Sequence, residues 1–443
     1  MTATLTTGEI RDLGRAEGGG ATLARLAVSQ HTQRLLLLRI LLDAVDATPG
    51  PAAAHARDHA RLLEAAERVA PESARRVLFY SLTGPWAERC VQWLESGADP
   101  GTDQNLAHLG SLAGAVAARS GLRFTTRVVT HGGRLTLPTL GALRSPDPDG
   151  TPTRLVGDGD RLVITAAGRA PAEVRQDPTG AWHSDDPRWL PLHTLDGGPR
   201  PVLLDDLDPG RLVYRGGAAG VEARDVLRPE ERAHWAALWR EALPLVSLAG
   251  AARTAELALL DCIVPLTAPP AASSGGISSR AFGAVMTTQP PSPAYFAAGL
   301  AHEIQHLKLT ALSDLMPLAV VGPQARHWAP WRPDPRPFDG LLHGTYAHLA
   351  LADFWQRLAL ALDDPADRDH AWAAHARCWT QVGAVLPALT GTRRLTEAGR
   401  VFVRAMAERH MELRDPAPPE GHLVRARAYV DTARTLWLRQ HGR

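Results

Sequence analysis

Apolar residues recur at helical spacing along the first part of the chain. In the run from Leu23 to Asp43, apolar residues return every three or four positions, which is typical of a helix packed on one side. Arg34 and Arg39 interrupt this run, and we interpret both as the solvated edge of the helix. Proline and glycine end the runs that follow. The further helices are predicted over Ala52 to Ala70, Ser73 to Gly97 and Asp103 to Arg119.

A different pattern begins at Gly121 and continues to about residue 215. Short stretches alternate between apolar and polar residues, or are wholly apolar, and Gly, Asp or Pro separates them. This pattern predicts a β-rich insert in an otherwise helical chain. The predicted strands cover Phe124 to Thr130, Arg134 to Leu140, Arg161 to Thr165, Ala172 to Arg175 and Pro201 to Leu204.

Helical spacing returns from about residue 227, with strand-like stretches inside it. Pro229 to Leu243 has the pattern of an amphipathic helix, and the apolar run from Leu257 to Leu266 predicts a buried strand. A Gly/Ser-rich loop beginning at Ser273 leads into another predicted strand. Helical patterns then continue from Ala297, interrupted by a rigid, proline-rich segment from Trp328 to Pro337.

Composition restricts the class of protein without defining it. A chain of 443 residues suggests two or three domains, at about 150 residues each. Its net charge of +1, with no basic run, gives no reason to expect nucleic acid or a membrane as a partner. Cys90, Cys262 and Cys378 are far apart, so a reducing cytoplasm fits best. The sequence predicts neither a signal peptide nor a membrane span.

His302, Glu303 and His306 form an HExxH motif inside the apolar helix pattern from Ala297 to Pro317. Two histidines four residues apart lie on the same face of a helix, so both imidazoles can bind one metal ion. Glu303 sits beside that face, where its carboxylate can reach a metal-bound water. Because imidazoles without a partner are costly to bury in an apolar helix, we favour metal binding over a pair of core histidines.

The order of strand, loop and HExxH helix is typical of zincin-like folds. In those folds a sheet lies against the metal helix and an edge strand passes over the site, which would place Arg280 near the metal. We therefore predict an α+β, mostly helical protein in three parts. These are a helical N-terminal part (residues 1–120), a β-rich insert (residues 121–220), and a zincin-like, metal-binding catalytic domain with a helical C-terminal part (residues 221–443).

Two histidines do not complete a catalytic metal site, so a third protein ligand is expected. Metzincins have a histidine six residues after the second motif histidine, but this chain has Leu312 there. Thermolysin-like enzymes use a glutamate on a following helix, but no glutamate lies between Glu303 and Glu397. The usual partners of an HExxH zinc site are therefore missing.

The apolar helix pattern from Phe338 to Leu362 is the best remaining source of a ligand. It carries His343, His348 and Asp353. The two histidines are five residues apart and point in different directions, so we expect only one of them to bind the metal. We favour His343 and keep His348 and Asp353 as alternatives.

Three segments together resemble the HExxH-motif family of peptide-modifying proteins. They are Leu300 to Leu312, Trp331 to Pro337 and Gly340 to Ala347. Gly18 to Gly20 and His31 to Arg39, near the N terminus, also look like that family. Its members are found with ribosomally made precursor peptides and are described as α-ketoglutarate-dependent peptide β-hydroxylases.

The resemblance implies that the metal is Fe(II), with α-ketoglutarate and O2 as co-substrates. It implies His302, His306 and His343 as iron ligands, and it makes Glu303 a ligand, an orienting residue or a contact to substrate. The distal carboxylate of α-ketoglutarate needs a fork of donors, for which arginine is better shaped than lysine. The implied partners are a precursor peptide and other maturation enzymes of the same pathway. The arginine candidates are Arg280, Arg332 and Arg336.

Two other functions fit the motif. In a zinc-dependent peptidase, Glu303 would be the general base for a zinc-bound water, although the missing downstream glutamate counts against this function. In a non-catalytic scaffold, a degenerate metal site and the N-terminal helices would hold a peptide for another enzyme. The sequence favours the hydroxylase over both.

Overall fold

The computed structural model describes residues 5–96, 101–213, 222–223, 226–267, 275–276, 281–320 and 327–442. Helices make up 59% and strands 16% of the structure, so the predicted mostly helical α+β class is confirmed. Within the described ranges, no helix combines the length and the apolar character needed to cross a membrane.

Helices occupy both ends of the chain. Five of the helices described below begin at a proline, which suits the first turn of a helix because its missing N–H would have no partner there. The helices are α1 (Thr7–Gly14), α2 (Gly20–Ala47), α3 (Pro51–Val69), α4 (Pro71–Leu78), α5 (Thr83–Ser96), α6 (Gly101–Arg119), α7 (Pro229–Leu248), α8 (Ala251–Glu256), α9 (Pro293–Leu315), α10 (Phe338–Ala361), α11 (Pro365–Thr390), α12 (Glu397–Glu412) and α13 (Glu420–His441).

Strands lie mainly in the middle of the chain, where the sequence predicted them. The first ten lie between residues 124 and 204. The strands are β1 (Phe124–Val129), β2 (Arg134–Leu137), β3 (Gly141–Arg144), β4 (Pro152–Asp158), β5 (Arg161–Ala166), β6 (Ala172–Gln176), β7 (Trp182–His183), β8 (Trp189–Pro191), β9 (His193–Leu195), β10 (Val202–Leu204), β11 (Glu222–Ala223), β12 (Cys262–Thr267), β13 (Gly275–Gly276), β14 (Ala284–Thr288), β15 (His327–Ala329) and β16 (Arg332–Arg336).

Two antiparallel sheets and one mixed sheet organise these strands. The antiparallel sheets have the orders β1-β4-β5-β6-β7 and β2-β3-β8, whereas β15 and β16 form a separate hairpin. The mixed sheet has the order β13-β14-β12-β10-β9, and β11 also pairs with β12. Strand β12 runs parallel to both β10 and β14. Its residues from Cys262 to Leu266 are buried, as expected of a central parallel strand.

Two hydrophobic cores share helix α2. Leu23 and Leu26 lie in a core with α9, α10 and the C-terminal helices, whereas Leu38 and Leu41 lie in a core with α3 to α6 and the antiparallel strands. Strands β9 and β10 belong to the mixed sheet next to α9, although they lie between residues 121 and 220. The three-part division along the chain stays a prediction, because shared packing does not test independent folding.

Arg34 is not at the solvated edge of its helix, so that interpretation is wrong. Its side chain is buried, and its guanidinium donates to the backbone carbonyls of Phe79 and Phe282. The second of these bonds is 3.1 Å long. Arg39 does lie at the edge, where it pairs with Asp43 one helical turn away. Arg34 and Arg39 both interrupt the same apolar run, so the sequence pattern does not distinguish them. They differ in the structure because loop residues Phe79 and Phe282 pack on Arg34.

The single helix predicted from Ser73 to Gly97 is also wrong. The structure has α4 and α5, with a turn between them. In this turn, Tyr80 donates its hydroxyl hydrogen to Asp205, and Ser81 donates to Asp261 over 2.7 Å. These buried contacts with a distant part of the chain stabilise the turn, and sequence periodicity does not reveal them.

Candidate metal centre

Helix α9 carries the HExxH motif between two well-defined ends. Ser292 caps its N terminus by accepting a hydrogen bond from the backbone N–H of Tyr295, and Pro293 is its first residue. The helix ends just before Pro317, since a proline disfavours helical backbone in the residue before it. The apolar residues between these ends hold the helix in the core and bring its histidines to the edge of that core. The buried stripe consists of Leu300, Ile304, Leu307 and Ala311.

His302, Glu303 and His306 form the cluster that the motif predicted. One ligand atom from each lies within 4.8 Å of the other two, and no other group of metal-ligating side chains this compact occurs in the described residues. The two imidazoles are partly exposed and Glu303 is buried. This arrangement presents nitrogen ligands to an opening while it keeps the carboxylate inside the protein.

The two carboxylate oxygens of Glu303 have different surroundings. Oε1 lies 3.1 Å from Nδ1 of His302, within hydrogen-bond distance. Oε2 is buried and has no hydrogen-bond partner. A buried carboxylate oxygen without a partner is costly, so the site needs a metal ion, a water or a ligand donor beside it.

Helix α10 packs against α9 and brings two further histidines to the cluster. Nδ1 of His343 lies 3.4 Å from Nδ1 of His306, and the two rings are stacked. The ring of His348 lies 5.5 Å from that of His302, measured between centroids. The side chains do point in different directions, but each one contacts a motif histidine. Which of them binds the metal therefore stays open, with His343 still favoured because its Nδ1 faces Nδ1 of His306.

The spacing of His306 and His343 agrees with a shared metal ion. Two nitrogens that each lie about 2.0–2.1 Å from a tetrahedral ion are about 3.3–3.4 Å apart. The observed distance between the two Nδ1 atoms is 3.4 Å. Since two lone pairs cannot satisfy each other, either one nitrogen carries a proton or both bind a cation between them.

His348 is held in one tautomer. Its Nδ1 lies 2.8 Å from the backbone oxygen of Gly344, which can only accept, so Nδ1 carries the hydrogen and Nε2 has the free lone pair. Its ring is stacked on Trp331 with centroids 4.3 Å apart. A backbone carbonyl that fixes the tautomer is the usual support of a metal-binding histidine.

Burial keeps these imidazoles uncharged at neutral pH. It lowers the pKa of His343 to about 4. The pKa of His348 falls to about 3, because burial and then the nearby His302 disfavour its charged form. Burial is also the main reason that the pKa of His306 lies well below its ordinary value. Only the neutral imidazole binds a metal, so His306, His343 and His348 need no deprotonation at pH 7.

Asp353 has other partners. Its Oδ1 accepts hydrogen bonds from Arg357 over 2.9 Å and from Arg409 over 2.6 Å. Binding a metal would break both ion pairs of a buried carboxylate. Among the three proposed ligands on α10, Asp353 therefore fits the site least well.

The arginine candidates differ in their positions. Arg280 lies outside the described residues, and Arg332 is exposed and pairs with Asp334. Arg336 is partly buried, and its charge contributes to the low pKa of His306. Its Nη2 lies over the first turn of α10, 3.1 Å from where a Cβ of Gly340 would be, one turn before His343.

Arg377 on α11 is not among the arginines that the sequence pattern suggested as co-substrate ligands. Its charge contributes to the low pKa of His348, whereas the charge of Arg336 contributes to the low pKa of His306. It also lines a cavity of about 210 Å³ with Tyr295 and His370. Because α11 follows the motif by more than 60 residues and has no distinctive pattern, only the packing of α11 on α10 reveals this arginine.

A buried polar network holds the opposite face of α9. Lys308 donates to Glu256 over 2.6 Å and to the side-chain oxygen of Gln305 over 2.8 Å. It also donates to the backbone oxygen of Glu17 over 2.8 Å, and Arg253 completes the network through Glu256. Gln305 precedes His306, so this network fixes the rotation of the metal helix from behind.

Comparison with known proteins gives no assignment. No protein-family model matches the chain. No curated protein matches its sequence. The function is therefore inferred from the residues of the site.

Proposed function

We propose that this protein is an Fe(II)- and α-ketoglutarate-dependent hydroxylase that acts on a side chain of a ribosomally made precursor peptide. The observation that carries the proposal is the meeting of His302, His306, His343 and His348 beside Glu303. Imidazole nitrogen suits iron as well as zinc, so the donor set fits the proposed metal. Arg336 and Arg377, whose charges act on His306 and His348, can pair with a dicarboxylate co-substrate.

Each residue has a defined task in this proposal. When bound, iron with α-ketoglutarate and O2 supplies the oxidation: the co-substrate becomes succinate and CO2, and one oxygen atom enters a C–H bond of the peptide. His302, His306 and either His343 or His348 hold the metal. Glu303 orients His302 through Oε1. Arg336 pairs with the distal carboxylate of α-ketoglutarate, for which its forked donors are suited.

Reconstitution tests this function directly. Under argon, we expect Fe(II) and α-ketoglutarate together to give a weak visible charge-transfer band, which neither gives alone. Admission of O2 should then release succinate, and mass spectrometry of a co-expressed precursor peptide should show the gain of one oxygen atom. Purified protein that contains stoichiometric zinc and shortens peptides would contradict the hydroxylase.

The zinc peptidase is the second candidate, because two observations favour it. The 3.4 Å between His306 and His343 agrees with tetrahedral coordination, and Oε2 of Glu303 is free to accept a proton. The contact of Oε1 with His302 gives this carboxylate an orienting task as well. The same reconstitution separates the two candidates, since only the hydroxylase consumes α-ketoglutarate.

Arg336→Met should weaken the use of α-ketoglutarate without removing the metal. We expect the KM for α-ketoglutarate to rise about 10- to 100-fold, because the variant loses hydrogen bonds to a charged group of the co-substrate. Arg332→Met is the matched control, because Arg332 is exposed and pairs with the same Asp334. Steady-state succinate formation gives both values. A normal KM in Arg336→Met with a raised KM in Arg377→Met would mean that Arg377 on α11, and not Arg336, pairs with the distal carboxylate of α-ketoglutarate.

A further inference from the structure

A second cavity adjoins the metal cluster through Glu303, and its lining includes neither His343 nor His348. It has a volume of about 240 Å³ and lies between α9 and strand β14. Its α9 wall follows one face of the helix, at spacings of three, four and seven residues from Phe296. That face ends at Glu303, which is both a wall of the cavity and a member of the metal cluster. The wall residues on α9 are Tyr295, Phe296, Gly299, Leu300 and Glu303.

Glu303 gives this cavity a chemical preference. Its Oε2 is buried without a hydrogen-bond partner, and its side chain is only 7% exposed. The rest of the lining is more apolar than polar, with Val285, Thr287 and Thr288 from β14 and then Gln289 and two prolines. A cavity of this kind favours an occupant with an apolar body and a hydrogen-bond donor at its tip.

The co-substrate does not fit this description. α-Ketoglutarate is a dianion, and a buried carboxylate repels it, since like charges at close range are unfavourable. Arg336 and Arg377 are the arginines that suit a dianion, and their charges contribute to the low pKa values of His306 and His348. Neither arginine lines this cavity. A volume of about 150 Å³ already holds a benzene ring, so 240 Å³ has room for one large side chain.

We propose that this cavity is the substrate side-chain pocket, and that it selects a peptide side chain bearing an N–H or O–H donor that bonds to Oε2 of Glu303. This assignment rests on the proposed function, because it takes the occupant to be a side chain of the peptide substrate. It adds the class of side chain that reaches the metal. The bound side chain would enter between β14 and the exposed Gly299, beside Tyr295 at the mouth.

Gly299 provides a test that spares the fold. A Cβ at Gly299 would meet nothing within 4 Å, so a larger side chain there extends into open space within the cavity. Replacing a helical glycine also improves helix propensity, by about 1 kcal/mol. Gly299→Leu should therefore fill the pocket while its thermal unfolding temperature stays the same or rises. Gly20→Leu is the matched control, because Gly20 is also helical, exposed and without neighbours within 4 Å of a Cβ.

Binding is measured on the full chain with Fe(II) and α-ketoglutarate under argon, so that no turnover occurs. The probes are Gly-Gly-Xaa-Gly-Gly peptides in which Xaa is Tyr or Phe, which differ by one hydroxyl donor, or Asn or Leu, which differ by an amide. We expect the donor peptide of each pair to bind wild-type protein about 10-fold more tightly, as for one hydrogen bond to a charged group. Gly299→Leu should weaken its binding at least 10-fold, and Gly20→Leu should not.

The proposal is overturned if the two members of each pair bind equally, if Gly299→Leu binds as the wild type does, or if the wild type binds none of the four peptides at millimolar concentration. Failure of the hydroxylase function has a different signature. In that case the visible band of the Fe(II) and α-ketoglutarate complex is missing from the same wild-type sample, whatever the peptides do.

Discussion

Replacing His306 by alanine should abolish iron binding and hydroxylation. His306 contacts both His302 on its own helix and His343 on α10. Loss of a direct ligand should exceed the 10- to 100-fold effect that is usual for supporting residues, so we expect a fall of more than about 100-fold in iron affinity. His302→Ala should behave in the same way. Iron content after anaerobic loading and gel filtration measures both.

Three further variants make this experiment specific. His234→Ala removes an exposed histidine from α7 and should leave the iron content unchanged. His343→Ala should lose iron as the motif variants do, whereas His348→Ala should retain it with reduced affinity. The reverse order would make His348 the third ligand. If His302→Ala and His306→Ala both retain one iron per chain, the metal centre is elsewhere.

The local patterns of the sequence predicted the site helices well. The motif helix was expected from Ala297 to Pro317 and extends from Pro293 to Leu315, and the next from Phe338 to Leu362 ends at Ala361. These helices are long, strongly apolar and bounded by proline, so periodicity is enough to define them. The spacing of four residues likewise predicted that His302 and His306 share a face.

The sequence pattern did not predict contacts between distant parts of the chain. The periodicity of α2 gave no sign that Arg34 reaches the carbonyls of Phe79 and Phe282. A five-residue spacing suggested that only one histidine of α10 would bind the metal, but it gave no sign that each of the two would contact a motif histidine. Helix packing decides such cases, and packing depends on the whole core.

One unusual residue did carry a signal of this kind. Lys308 is the only lysine of the chain and lies in the middle of an apolar helix. A charged residue in such a position is almost never buried without a partner. Such a position is a signal for a buried acidic partner, and the structure identifies that partner as Glu256.

Lys308→Met should cause the largest loss of stability among the variants considered. The side chains of Lys308 and Glu256 are each only 1% exposed, and the ammonium group donates to three oxygens. Methionine fills a similar volume but leaves Glu256 and Gln305 with buried oxygens that have lost a donor. Removing one partner of a buried ion pair typically costs about 3–5 kcal/mol. Urea unfolding of the metal-free protein, followed by circular dichroism, measures this change.

Arg39→Met is the control for Lys308→Met. Arg39 is 74% exposed and pairs with Asp43 across one helical turn, so its loss should change the free energy of unfolding by less than about 0.5 kcal/mol. A loss below about 1 kcal/mol in Lys308→Met would mean that the network adds little beyond packing. Since burial lowers the pKa of Lys308 to about 8, the three acceptors offset only part of the cost of burying its charge, and the ammonium form still predominates at pH 7. The function of the network is then to fix the rotation of α9.

Lys308→Met should therefore also weaken iron binding at temperatures where the protein is still folded, because Gln305 and His306 are adjacent on the same helix.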